Sequence, residues 1–71
     1  GRIAIFHKNI ANMITKFTAI IGDSGINIAT MLNKSKGEYA YTLIDIENPV
    51  NNDITASLEQ IEGVFRVRVI K

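Results

Sequence analysis

The sequence predicts an α+β domain, a ferredoxin-like β-α-β-β-α-β sandwich in which a four-stranded antiparallel sheet carries two helices on one face. Three observations predict it. Apolar residues recur at strand spacing, then helix spacing, then strand spacing twice, and the pattern closes with a second helix and a last strand. Turn-forming residues separate these runs at Asp23-Ser24-Gly25, Lys34-Ser35-Lys36-Gly37 and Asn48-Pro49-Val50-Asn51. The length of 71 residues, 46% hydrophobic and 21% charged, suits one globular domain spanning residues 1–71.

The first strand, β1, covers Arg2 to His7, where Ile3, Ile5 and His7 alternate with Ala4 and Phe6; two largely apolar sets mark a central strand. Helix α1 follows from a cap at Asn9, with Met13, Ile14, Phe17, Ile20 and Ile21 forming an amphipathic stripe that stops at Gly25. Strand β2 runs from Ile26 to Asn33, with Ile26, Ile28 and Leu32 on one side and Asn27, Ala29 and Met31 on the other. After a turn over Lys34–Gly37, β3 returns from Tyr39 to Ile46 as a hairpin arm. Asn51 or Asn52 caps α2, which turns Ile54, Leu58 and Ile61 inward and closes at Gly63. In β4, Phe65, Val67 and Val69 face inward against an outer Arg66 and Arg68.

This order matches the split β-α-β motif, and right-handed crossovers place β1 and β3 in the centre with β2 and β4 at the edges. The β2 edge is apolar and uncharged as far as Lys34, without the Pro or Lys that guards free edges, so it is expected to pair with a second copy across a two-fold axis. A domain this short buries about 60% of its unfolded surface, and such pairing adds stability.

Charge and composition narrow the function. Eight basic and seven acidic residues in no like-charged run argue against general attraction to nucleic acid or anionic lipid. No stretch approaches the ~20 apolar residues of a membrane span. The absence of Cys removes disulfides and thiolate metal sites and fits a reducing cytoplasm. His7 has no second His or Cys beside it, which argues against a metal, and Ser24, Ser35 and Ser57 have no neighbouring base for nucleophilic catalysis. Strand-like sequence begins directly after Gly1, as in a segment of a longer protein.

The loop His7-Lys8-Asn9-Ile10-Ala11-Asn12 brings backbone N–H groups to a positive helix end, which suits a carboxylate. Asn27 carries an amide that both donates and accepts, as an amino-acid zwitterion requires. Plainer roles stand beside these, Asn9 as a helix cap and Asn27 as a surface side chain.

Four segments carry a resemblance: R-I-A-I-F-H-K-N over Arg2–Asn9, G-I-N-I-A over Gly25–Ala29, Y-A-Y-T-L-I-D-I over Tyr39–Ile46 and I-E-G-V-F-R-V-R-V-I over Ile61–Ile70. Together they resemble the C-terminal ACT domains of the D-3-phosphoglycerate dehydrogenase family, over nearly the whole chain. The resemblance implies a non-catalytic regulatory domain that senses L-serine for feedback inhibition in serine biosynthesis. It implies effector contacts from His7 and Asn9, from the backbone of Ile10, Ala11 and Asn12, and from Asn27 of a neighbouring copy. NAD chemistry would belong to catalytic domains elsewhere in the parent enzyme, with no cofactor held in this domain. One departure is Ala11-Asn12 where the family commonly has Pro-Gly, which adds a side chain where backbone comes close to ligand.

Three other readings compete. A ligand-free dimerisation domain would share the fold. An RNA-recognition module would use Ile5–Ile10 and Lys36–Tyr41 as its strand motifs, but simple alternation sets Lys36 off the face of Tyr39 and Tyr41. An acylphosphatase-like enzyme shares the topology, yet the chain is short for one and offers no phosphate-cradling loop. Gly22-Asp23-Ser24-Gly25 has the spacing of a KH loop but leads into a strand, so it is read as a helix stop. Arg66 and Arg68 are read as a solvated face or as partners of Asp45.

Overall fold

A computed structural model of the chain describes residues 1–70. Its elements are β1 (Arg2–Lys8), α1 (Met13–Asp23), β2 (Ile28–Lys36), β3 (Tyr39–Ile46), α2 (Asn52–Glu59) and β4 (Val64–Val69). The sheet is antiparallel in the order β2-β3-β1-β4, so β1 and β3 are central and β2 and β4 are the edges, as the sequence predicts.

Alternation decides which face is buried. Ile3 and Ile5 of β1 and Ile44 and Ile46 of β3 point to the inner face, where they meet Met13, Phe17 and Ile21 of α1 and Ile54 and Leu58 of α2 in one core. Both helices therefore cover the same side of the sheet. The opposite face is open.

The helix ends follow local chemistry. At its C-terminus α1 closes with paired main-chain bonds, Gly25 N–H to Gly22 O at 2.9 Å and Ile26 N–H to Ile21 O at 3.3 Å, around Gly25 at φ 75°. That is a Schellman motif, which needs a residue tolerant of the left-handed region. Asn51 caps α2 by accepting the Ile54 N–H at 2.9 Å, so it and not Asn52 is the cap. The helix ends at Glu59, which leaves Ile61 half-buried beyond it.

Four expectations are corrected. Asn9 does not cap α1; the N-cap is Asn12, in a left-handed conformation at φ 70° and with no side-chain capping bond. Strand β2 does not stop at Asn33 but runs to Lys36, because Gly37 at φ 63° lets the hairpin turn on Gly37 and Glu38 alone. A bulge between Ile28 and Thr30 separates Ile28, opposite Ile46 on the inner face, from Thr30 and Leu32 on the outer one. A second irregularity, opposite Phe6 and His7, frees Phe65 from the inward set of β4 and leaves it exposed against Tyr39, ring centroids 5.6 Å apart.

Asp45 pairs with Arg2 rather than with Arg66 or Arg68, since β1 lies between β3 and β4. Arg2 Nε donates to it at 2.6 Å and Nη2 at 3.2 Å, and Thr30 Oγ1 donates at 2.7 Å. The bonds from Arg2 first, and from Thr30 second, lower its pKa to about 2.

Leu58 is fully buried, so Leu58→Ala should destabilise the domain by about 2–5 kcal/mol in urea unfolding, whereas Ala19→Ser on the exposed side of α1 should stay within about 0.5 kcal/mol. The depressed pKa of Asp45 makes its contribution to stability complete above the unfolded value of about 4 and lost as pH falls through about 2. Urea midpoints of the Asp45→Asn variant should accordingly fall less steeply than those of the parent across that window.

Candidate functional site

The loop after β1 is fixed from two sides. Lys8 N–H donates to Gly63 O at 2.8 Å, on the α2–β4 connection. On the other side, Asn9 binds the tip of the β2–β3 hairpin, its backbone N–H to Glu38 O at 2.8 Å and its Nδ2 to Gly37 O at 3.1 Å. Asn9 thus serves as a clamp, a role that periodicity could not reveal because its partners lie across a hairpin.

Beyond the clamp the chain turns over Ile10 and Ala11, Ile10 N–H folding back to Lys8 O at 3.0 Å, and enters α1 through left-handed Asn12. The requirement that the resemblance assigns to Gly is therefore present at this position, and Asn is among the few side chains that meet it. The first bond onto the helix is Lys16 N–H to Asn12 O at 3.1 Å, so the amides of Met13, Ile14 and Thr15 receive no intrahelical carbonyl. With no capping side chain and no acidic residue in the first turn, this helix end is free to attract an anion.

His7 lies on the inner face at 2% exposure, edge-on to Phe17 with ring centroids 5.0 Å apart. Both ring nitrogens are engaged within the chain. Lys8 O can only accept, so Nδ1–H donates to it at 2.8 Å. In the neutral ring Nε2 then accepts from Thr42 Oγ1 at 2.9 Å, and Thr42 in turn accepts from Asn33 Nδ2 at 2.9 Å. A polar chain thus crosses the sheet from β2 through β3 to the loop. Every buried side-chain nitrogen and oxygen among the described residues has a partner.

Asn27 lies elsewhere in the same copy. It precedes β2 at the end of the sheet where Ile28 faces Ile46, while His7 faces Ala40 at the other. Six residues of strand separate these pairings along β3, about 20 Å. The backbone O of Asn27 accepts Glu47 N–H at 3.1 Å and its side chain is exposed. Within one chain, then, His7 and Asn9 are together and Asn27 is apart from them. Among the described residues no group of three or more His, Cys, Asp or Glu could hold a metal ion, and no helix is long and apolar enough to cross a membrane.

This architecture is shared with proteins of known structure. The ACT domain of GTP pyrophosphokinase from Chlorobium tepidum has a TM-score of 0.74 to the chain at 23% identity, covering 94% of this chain and 91% of that one. The solution structure of the same domain gives 0.67 at 25% identity over 94% and 80%. The regulatory subunit of aspartate kinase from Thermus thermophilus, in its ligand-free form, gives 0.72 at 12% identity, covering 96% of this chain and 49% of that one. The chain has the fold of an ACT domain. In sequence it is similar to the D-3-phosphoglycerate dehydrogenase of Haemophilus influenzae, 25% identical over 69 residues. Those residues are 97% of this chain and 17% of that enzyme, so the chain spans about a sixth of the relative's length. No protein-family profile matches the chain.

Thr42 joins the buried His7 ring to the amide of Asn33 on the exposed edge strand. Thr42→Val keeps the volume but strands the buried His7 Nε2, while Asn33 Nδ2 can turn to water, and it should destabilise the domain by about 1–3 kcal/mol in urea unfolding.

Proposed function

We propose that the chain is an amino-acid-sensing regulatory domain that acts as a two-fold pair, with L-serine as its effector, in a D-3-phosphoglycerate dehydrogenase of serine biosynthesis. The observation that carries this reading is the position of β2. It is an edge strand, exposed for nearly its whole length, and its hairpin end lies beside the Asn9 clamp while its other end follows directly on Asn27.

Antiparallel pairing of two β2 strands centred on Leu32 would set Ile28 of one copy opposite Lys36 of the other. Asn27 of the first copy would then reach Gly37 and Asn9 of the second, which closes the separation of about 20 Å that a single chain leaves. The assembled cleft offers open amides at the start of α1 for a carboxylate. The Asn27 side chain adds one group that donates and accepts. In this arrangement Asn9 and His7 position the loop, and a direct contact from the His7 ring would require it to give up Lys8 O or Thr42.

The energetics allow it. Millimolar to micromolar affinity needs roughly 4–8 kcal/mol. That lies within the ceiling of about 1.5 kcal/mol per heavy atom for a ligand as small as serine, provided nearly every polar atom is paired. Binding across the pair would bias linked domains by a coupling of about 1–3 kcal/mol, so inhibition needs no catalytic residue here. NAD would be held by those other domains, because the connection from β1 to α1, Asn9 to Asn12, contains no glycine and cannot form a dinucleotide-binding turn.

A second reading has its own observation. The engaged ring of His7 and the Asn12 side chain both fit a pair that assembles without ligand.

Calorimetric titration separates the two. L-serine should release heat where D-serine does not, and Asn27→Ala should abolish the signal while leaving the circular dichroism unchanged. Unaltered affinity in that variant would remove Asn27 from the site, and a dimer that gives no heat with any amino acid would establish the ligand-free reading.

A further inference from the structure

The open face of the sheet carries a pattern that the regulatory reading does not use. The hairpin turn resets strand parity, so Lys36 stands directly opposite Tyr39 and Lys34 opposite Tyr41, on one face. This overturns the expectation that Lys36 lies off the face of the tyrosines. Phe6 of β1 is beside Tyr41, ring centroids 6.2 Å apart, and the bulge in β4 brings Phe65 against Tyr39. Phe6, Tyr39 and Phe65 are 38%, 61% and 54% exposed, so part of each ring is open to a partner. Tyr39 forms a wall shared by two hollows of about 440 and 390 Å³, one reaching Lys8 and Phe65 and the other Lys34, Lys36 and Phe6.

Charge on this face is far from balanced. Arg2, Lys8, Lys34, Lys36, Arg66 and Arg68 all stand on it, and its strands contribute one acid, Asp45, already paired with Arg2. Of the remaining described side-chain charges, Lys16 is the one cation, against Asp23, Glu47, Asp53, Glu59 and Glu62 on the helices and their connections, while Glu38 at the hairpin tip lines the hollow of Tyr39 and Phe65 beside Lys8. The near-zero net charge of the chain therefore conceals one cationic face and one acidic remainder. A second copy docking through the same face would oppose its unpaired cations. An acidic peptide would match the charge but offer no flat surfaces for the rings.

From this geometry we infer that the open face of the sheet binds a single-stranded nucleic acid, its bases stacked on Tyr39, Phe6 and Phe65 and its phosphates held by Lys8, Lys34, Lys36 and Arg66. This goes beyond the amino-acid reading and does not depend on it. Stacking on exposed rings tolerates any base, and cations around the rings follow the backbone.

The test is fluorescence anisotropy of a labelled oligothymidylate of about twelve nucleotides titrated with the chain at low salt. Saturable binding is expected, weakening about fiftyfold for a fourfold rise in salt if four phosphates are contacted. Tyr39→Ala, an exposed change that leaves the core intact, should weaken binding about five- to a hundredfold. The charge reversals Lys34→Glu and Lys36→Glu together should lower both affinity and salt dependence. Absence of binding at low salt overturns the proposal. So does equal binding of heparin or of duplex DNA with no loss in Tyr39→Ala, which would reduce the face to a general polyanion surface. Sedimentation showing self-association that Tyr39→Ala abolishes would assign the face to a second copy and overturn it equally.

Discussion

The fold depends on the pairing of β1 with β3. These central strands set Ile3, Ile5, Ile44 and Ile46 in one plane, and α1 and α2 have no other apolar surface on which to bury Phe17, Ile21, Ile54 and Leu58. Because strand side chains alternate with a period of two, a slip of one residue would send the isoleucines to solvent and bring Phe6 and Tyr41 under the helices. Register is therefore under strong constraint. The same constraint places His7 beneath α1, where its nitrogens must find partners inside the protein, and Thr42 and Lys8 O supply them.

How much could be read from the sequence depends on how local each signal was. Element order and the inward residues of α1 and α2 were legible because they rest on spacing within one segment, and strand order followed from that element order through the handedness of the crossovers. The Asn51 cap and the Gly25 stop were legible for the same reason. What could not be read was settled between segments. Asn9 looks like a cap because it precedes an apolar stripe, but the hairpin tip offers it two carbonyls and Asn12 accepts the left-handed entry into the helix. Phe65 and Lys36 were placed by parity, and parity fails wherever a bulge or a two-residue turn intervenes. Of the candidate site, the loop and Asn27 were visible as residue types, while their separation within one chain followed from topology alone.

Two different surfaces thus emerge from one sheet. Its edge carries main-chain donors and acceptors and an apolar fringe at Met31 and Leu32, and its open face carries rings and cations. The first suits extension by an identical strand, and the second is unsuited to a like-charged copy. The two surfaces meet at the hairpin, where Gly37 contacts Asn9 and Lys36 faces Tyr39.

The uncovered edge of β2 has an evolutionary corollary. Pairing along it would be made by peptide groups, which every residue except proline supplies, so substitutions at Met31 or Leu32 could accumulate while the mode of assembly persisted. Homologues could then differ widely in the chemistry of this strand and still associate alike, while drift at the neighbouring clamp would be purged sooner. In such a lineage quaternary arrangement would outlast recognisable similarity.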